Sequence, residues 1–262
     1  MKVKKQNYFG DTIASKKLED FYVSLTSYHP NTKVVKHFHE KPYLCLLVNG
    51  FYEEKSYKSS EIIKTGSTLF RPANYEHENG FSNHKGLCLN IEINNPEEYI
   101  KQNDFKISAS EAQQKGSIDV YKLLYFLKND ISDDILNISC YESIFSHFDY
   151  LPIKGKLNWI QTIKEQIRDN PFAIISLSKL SAEFDLHPNY IVRKFKEVTG
   201  YKLSDYLSKV RLECSLPKLA SSAENLTNIA FDSGFYDQSH YAKNFKKHFI
   251  VSPKEFRKVV KG

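Results

Sequence analysis

The chain is poor in cysteine. Its four, Cys45, Cys88, Cys140 and Cys214, lie far apart, and none pair at the short spacing of a metal knuckle. That distribution argues against a disulfide framework and a cysteine zinc site, and it predicts buried free thiols. Long apolar runs are missing too. No stretch reaches the roughly 18 residues that would cross a bilayer. The basic start, MKVKKQNYFGDTIASKK, lacks the apolar segment that a secretion signal needs after it. The expected location is the cytoplasm, with no membrane partner. What is abundant is apolar and aromatic residues, 41% and 14% of 262, enough to bury a core in two domains of ordinary size.

Charge is divided unevenly. Residues 152–262 carry +8 and residues 1–151 carry −2. A basic carboxyl-terminal half joined to a mildly acidic amino-terminal half suits a polyanion-binding module attached to a second function. The hydrophobic pattern breaks at about the same place. "YLCLLVNGFYEEKSYKSSEIIKTGSTLFRP" gives short alternating runs punctuated by Asn-Gly and Thr-Gly, as in an antiparallel sheet. "GLCLNIEINNP" adds a strand with Leu87, Leu89, Ile91 and Ile93 on one face.

From residue 108 the period becomes helical. Val120, Leu123, Leu124, Leu127 and Ile131 form one stripe, and Ile135, Ile138, Ile144, Phe145 and Phe148 form a second. "LPIKGK" at 151–156 reads as a linker. The expected organisation is α+β in two domains: an antiparallel β domain over 1–107, a helical packing or dimerisation segment over 108–150, the linker, and an all-α domain over 157–262.

Within the all-α domain the same arrangement occurs twice. In "NLTNIAFDSGFYDQSHYAKNFKKHF" (225–249), Asn225 or Thr227 caps a short helix through Ile229 and Phe231, and Gly234 ends it. A second helix starts near Asp237. Its Tyr241, Phe245 and Phe249 turn inward onto Phe235 and Ile229, while Gln238, Ser239, Ala242, Lys243 and Lys246 face out. "SLSKLSAEFDLHPNYIVRKFKEVTG" (176–200) repeats this, with Leu180, Ala182 and Phe184, then Ile191, Phe195 and Val198 inside. Asn189, Tyr190, Arg193, Lys194 and Lys196 are outside. A connecting helix over 202–220 carries Leu203, Tyr206, Leu207, Val210 and Leu216, and Pro217 should bend it or end it early. Asn189 and Gln238, early on the two outward-facing helices, are 49 residues apart.

Ile229, Ala230, Gly234-Phe235, Ser239, Tyr241, Phe245-Lys246, Ser252-Pro253 and Phe256-Arg257 form a specific set, joined upstream by Tyr190, Arg193, Phe195-Lys196, Thr199-Gly200 and Arg211-Leu212. On these residues, 157–258 resemble the tandem helix-turn-helix domain of AraC/XylS-type transcription regulators. Two positions depart from that pattern: Ile250 stands at the usual glycine after the last recognition helix, and Pro217 interrupts the linker helix. The resemblance implies two recognition helices in successive major grooves of double-stranded DNA. It implies base contacts from Asn189, Val192 and Arg193, and from Gln238, Ser239, Ala242 and Lys243. Lys194, Lys196, Lys246 and Lys247 would meet phosphates. It also implies a homodimer, a small-molecule effector and RNA polymerase as partners.

"KHFHEKPYLCLLVNG" and "GSTLFRPANYEH" resemble the two signature segments of the cupin β-barrel. His37 and His39 share a strand face, and Gly66, Pro72 and His77 fit the second segment's spacing. Where a metal cupin has its glutamate this chain has Tyr43. Asn74 replaces the glycine before the third histidine, and Phe81 replaces the last polar position. Glu76 and Glu78 flank His77 and should point to the opposite face. Arg71 could bind a carboxylate or phosphate on an effector or pair with a surface acid, and the surface acid is the favoured reading. Three readings stay open: a small organic effector in the barrel, a divalent metal on His37, His39 and His77, and a metal-dependent enzyme.

Overall fold

The computed structural model describes residues 8–94, 114–148 and 158–261. The 151–156 linker and the stretch 95–113 lie outside the described residues. The chain divides into two compact units. One comprises Met1–Asp149, Leu216–Ala223 and Lys254–Gly262, the other Tyr150–Ser215 and Glu224–Pro253.

The first unit begins with nine strands, β1 (Asp11–Lys17), β2 (Phe21–Tyr28), β3 (Lys33–His37), β4 (Tyr43–Asn49), β5 (Phe51–Ser56), β6 (Ser60–Lys64), β7 (Ser67–Arg71), β8 (His77–Phe81) and β9 (Gly86–Ile93). A two-residue β10, Gln114–Lys115, follows and pairs with β7. All ladders are antiparallel. They form one sheet in the order β1-β2-β9-β4-β7-β10 and another in the order β3-β8-β5-β6. Asn-Gly and Thr-Gly punctuate the sheet as the sequence predicts: Gly50 and Gly66 hold φ +91° and +86°, which side chains rarely adopt. The expected barrel is corrected in one respect. No ladder among the described residues closes one sheet onto the other; the two are joined through side chains. Tyr43, Cys45, Leu47, Leu69 and Cys88 of the larger sheet share a core with Val34, Tyr52, Ile63 and Phe81 of the smaller. Tyr28 stacks on Phe81 at 4.1 Å between ring centres.

Helices α1 (Ile118–Lys128) and α2 (Asp133–Phe148) follow in the same unit. Ser117 caps α1, and Val120, Leu123, Leu124 and Leu127 are buried on it as predicted. Ile131 lies past its end. The second predicted stripe holds at Ile144 and fails at its start. Ile135 and Ile138 are 45% and 59% exposed, and Leu136, Cys140, Ser143, Ile144 and His147 form the inner face. Two small polar residues, Ser139 and Ser143, lie inside, and the Ser143 hydroxyl is satisfied by donating to the Ser139 carbonyl at 2.7 Å. A stripe drawn through the isoleucines misses that. Nothing is assigned to the Phe145 and Phe148 side chains, which lie outside the described set.

The remaining helices are α3 (Asn158–Asp169), α4 (Leu177–Phe184), α5 (Pro188–Thr199), α6 (Leu203–Ser221), α7 (Leu226–Asp232), α8 (Gln238–Phe249) and α9 (Pro253–Lys261). Pro217 does not stop α6, which runs on to Ser221. It removes one amide donor with a single turn left to form, and Ser221 Oγ adds a bond to the Pro217 carbonyl at 2.7 Å.

The ends of α5 and α8 offer an internal comparison. Each helix has twelve residues and closes with a left-handed residue whose amide reaches back four positions: Gly200 at φ 76° to Lys196 and Ile250 at φ 64° to Lys246. Glycine takes that conformation freely, whereas a β-branched residue there costs about 1–2 kcal/mol. Ile250 is 88% exposed, so it recovers little by burial. Ile250→Gly is therefore expected to stabilise the fold by about 1 kcal/mol, seen as a rise in the urea midpoint without a change in slope.

Candidate nucleic-acid interface and histidine cluster

Each of the two outward-facing helices, α5 and α8, is set by its caps and its aromatic anchors. In the first helix-turn-helix Ser176 caps α4, and Asp185 at φ 52° turns the chain. His187 then caps α5, its Nδ1 accepting from the Asn189 amide at 3.2 Å, with Pro188 at the first helical position. Ile191 and Phe195 anchor α5 in a core with Ile160, Ile163 and Ile167 of α3 and Tyr206 and Val210 of α6. In the second, Asn225 caps α7, Gly234 takes φ 78°, and Asp237 caps α8 by accepting from the His240 amide at 2.7 Å. Tyr241, Phe245 and Phe249 form a ladder of rings, with centres 5.9 and 4.3 Å apart, and Phe235 meets Tyr241 at 5.2 Å.

That anchoring decides what faces solvent. Asn189, Val192, Arg193 and Lys196 are exposed on α5; Gln238, Ser239, Lys243, Lys246 and Lys247 lie on the outward side of α8, with Ala242 half-buried. Lys194 is half-buried, its ammonium 2.7 Å from Glu197. Arg193 lies over the Tyr190 ring at 5.9 Å. The Gln238 side-chain oxygen accepts from the Thr227 hydroxyl at 2.8 Å, fixing that amide at the start of α8. Two expectations are corrected. Val198 is 39% exposed rather than inside, and Ala182 is exposed. The two helices start 50 residues apart, at Pro188 and Gln238, so Asn189 corresponds to Ser239 and Arg193 to Lys243.

The second cluster lies in the sheet unit. His37 ends β3 and His77 begins β8, directly across the ladder from each other. His39 is held beside them because the Asn74 amide donates to its carbonyl at 2.7 Å. Asn74 makes that reach at φ 62°, a left-handed conformation that asparagine, like the expected glycine, tolerates. All three imidazoles are buried, and each offers a ring nitrogen within 4.8 Å of the others'. The Nδ1 of His37 meets the Val35 carbonyl at 2.8 Å, and that of His77 meets the Tyr75 carbonyl at 3.1 Å. A carbonyl only accepts, so both rings carry their proton on Nδ1 and keep a lone pair on Nε2. Tyr43 donates its hydroxyl to His77 Nε2 at 3.4 Å.

Burial, then the nearby imidazoles, lowers His37 to about 4 and His39 to about 3; burial, with the Arg71 charge acting the same way, lowers His77 to about 4. The rings are neutral at neutral pH. The cavity they line measures about 30 Å³, with Tyr28, Tyr43, Tyr52, Phe81, Cys45 and Cys88 among its walls. Tyr8 and Phe9 cover it, their rings 5.1 Å from His39 and 4.9 Å from His37.

Among the described residues no carboxylate lines this chamber. Glu40, Glu76 and Glu78 are exposed, and Glu76 pairs with Lys36 at 2.7 Å. The reading of Arg71 is corrected: it is 2% exposed, and its Nε and Nη2 both donate to Glu54 Oε1, the former at 2.8 Å. Tyr75 lies under the guanidinium at 5.0 Å. Burial works against the Arg71 charge, but the Glu54 carboxylate more than restores it. Arg71 ends β7 and Glu54 sits in β5, so the pair ties the two sheets together. The sequence places the pair 17 residues apart and gives no sign that the strands face each other.

Residues 180–259 match the family described as a helix-turn-helix domain. An HTH-type transcriptional activator RhaS from Mannheimia succiniciproducens is 32% identical over 83 residues, covering 32% of this chain and 31% of that protein. The RhaS of Pectobacterium carotovorum subsp. carotovorum is 23% identical over 259 residues, covering 87% of this chain and 89% of that protein. The first match thus spans less than a third of its relative's length. Among solved structures, ToxT from Vibrio cholerae aligns over 93% of this chain and all of its own, at 15% identity and a TM-score of 0.39. No helix among the described residues is long and apolar enough to cross a membrane. Residues 180–259 therefore match a helix-turn-helix domain, and the chain that carries them is similar to HTH-type transcriptional activators.

Proposed function

We propose that this protein is a sequence-specific DNA-binding transcription regulator of the cytoplasm, controlled by an effector received in its sheet unit. One observation carries the reading. Two twelve-residue helices of the same design each bury an aromatic face and expose a polar and basic one. A helix so presented fits the major groove, where side chains read base edges and lysines meet phosphates. Arg193 is assigned to a guanine and Lys246 to a phosphate; Asn189, Val192, Gln238, Ser239, Ala242 and Lys243 complete the base-reading set, with Lys196 and Lys247 on the backbone. Lys194, engaged with Glu197, contributes least. The reaction is binding alone, with no catalytic step. The α1 stripe is used inside its own unit, so a homodimer would form through another surface.

The two assignments separate experimentally on a duplex selected from a random pool. Arg193→Ala should lose roughly 1–3 kcal/mol of discrimination, about 5- to 150-fold, against a site changed at one base pair. Lys246→Ala should weaken all duplexes alike and reduce the salt slope by about 0.9. Wild-type binding by both variants would discard the groove assignment.

A further inference from the structure

We propose that Thr227 is a positioning residue that makes Gln238 a reader of guanine, by holding the oxygen end of its amide against α7 and leaving the amino end for the base. The inference deepens the DNA-binding reading and rests on it.

The geometry comes from two helices of one helix-turn-helix. Thr227 lies in the first turn of α7, which Asn225 caps, and Gln238 opens α8 directly after its cap, Asp237. The chain turns between them through Gly234 at φ 78°, and the Thr227 hydroxyl donates to Gln238 Oε1 at 2.8 Å. Residues at the start of a recognition helix are the ones that reach base edges. The first helix-turn-helix has Pro188 at the corresponding place, with no side-chain donor or acceptor, so the arrangement belongs to the second reading head.

An amide has two unlike ends. A glutamine reads adenine by using both, its oxygen accepting from N6 while its nitrogen donates to N7. Here Thr227 takes the oxygen end. The end that remains is an amino group, which donates and does not accept. Guanine offers it two acceptors side by side, O6 and N7. Adenine sets its N6 amino group, and cytosine its N4 amino group, against another donor, while thymine offers O4 alone beside its methyl. Guanine is the edge that fits.

Both Thr227 and Gln238 are exposed in the free protein, so water competes for their bond. Against DNA the water leaves and the local dielectric falls, which strengthens the bond. An amide oxygen turned away from Thr227 would then need another donor or lie desolvated without one. The contact therefore sets the orientation where the reading takes place.

The test uses the full chain and duplexes selected from a random pool. Comparing the selections of the wild type and Gln238→Ala identifies the base pair that Gln238 meets. The wild type should favour guanine over adenine there by about 5-fold or more. Thr227→Val keeps nearly the same shape without the hydroxyl, and it should bring the two affinities close to parity, while Thr227→Ser keeps the preference. A loss of support for α7 would weaken both duplexes alike, so the ratio separates positioning from stability. Gln238→Glu offers only acceptors and should move the preference to cytosine or adenine. Adenine in the wild-type selection overturns the proposal, as does a guanine preference that survives Thr227→Val or Gln238→Glu. If Gln238→Ala selects the same sites as the wild type, Gln238 reads no base, and the proposal falls while the DNA-binding reading stands. If the wild type selects no sequence at all, the regulator reading falls with it.

Discussion

Glu54→Gln is expected to destabilise the sheet unit by about 3–5 kcal/mol, because it leaves the Arg71 guanidinium buried without its counter-charge. Both side chains are nearly closed to solvent, 2% for Arg71 and 5% for Glu54, so water cannot take over the carboxylate's role. Tyr75 beneath the guanidinium gives back only a fraction, since a cation over a ring contributes about 0.5–2 kcal/mol. In a protein of this size each kcal/mol moves the thermal midpoint by roughly 2–4 °C, so a fall on the order of 10 °C is the readout. Replacing both partners, Arg71→Met with Glu54→Leu, should recover most of the loss, because an apolar pair of similar volume leaves no stranded charge. If Glu54→Gln melts with the wild type, the guanidinium has another partner and the sheets are not tied here.

Phe245→Ala is expected to be comparably damaging, at about 3–5 kcal/mol, and to abolish DNA binding. Phe245 is wholly buried, stacked on Phe249 at 4.3 Å and edge-on to Tyr241 at 5.9 Å. Its loss empties the centre of the ring ladder that orients α8, so the outward face loses its fixed direction. A domain's whole stability is about 5–15 kcal/mol, which puts a loss of this size close to unfolding. Helical circular dichroism should drop at a lower temperature than in the wild type, and binding to the selected duplex should fall with it. Phe245→Leu, which keeps most of the volume, should cost far less and retain binding. Binding that survives Phe245→Ala intact would show that α8 is held by something other than its rings.

The helix-turn-helix domain was legible because its signals are local. Asn225 and Asp237 cap helices where their side chains predict, and aromatics four apart mark one face of α8 without ambiguity. Helix α2 was misread for the opposite reason. Two of its isoleucines, Ile135 and Ile138, are conspicuous but exposed, while it buries Ser139 and Ser143, and the bond from the Ser143 hydroxyl to the Ser139 carbonyl is invisible in the sequence. Val198 shows a related failure: at the end of α5 the core has already turned away, so a β-branched residue stays outside. At the histidine cluster the residues were legible and the support was not. Asn74 could be recognised as a replaced glycine, but its positive φ and its bond to His39 belong to the folded chain. The Arg71–Glu54 pair was hidden altogether, because alternation along a strand says which face a residue takes and not which sheet lies opposite.

The size of the histidine chamber has a consequence for how such a protein can change. Its volume is set by Tyr28, Tyr43, Tyr52 and Phe81, side chains that crowd the space between the sheets, while the ladders beneath them use only backbone. Shortening a ring would widen the space without removing a single strand hydrogen bond. What the chamber admits and how the domain is built are therefore set by different groups, ring side chains for the first and backbone ladders for the second.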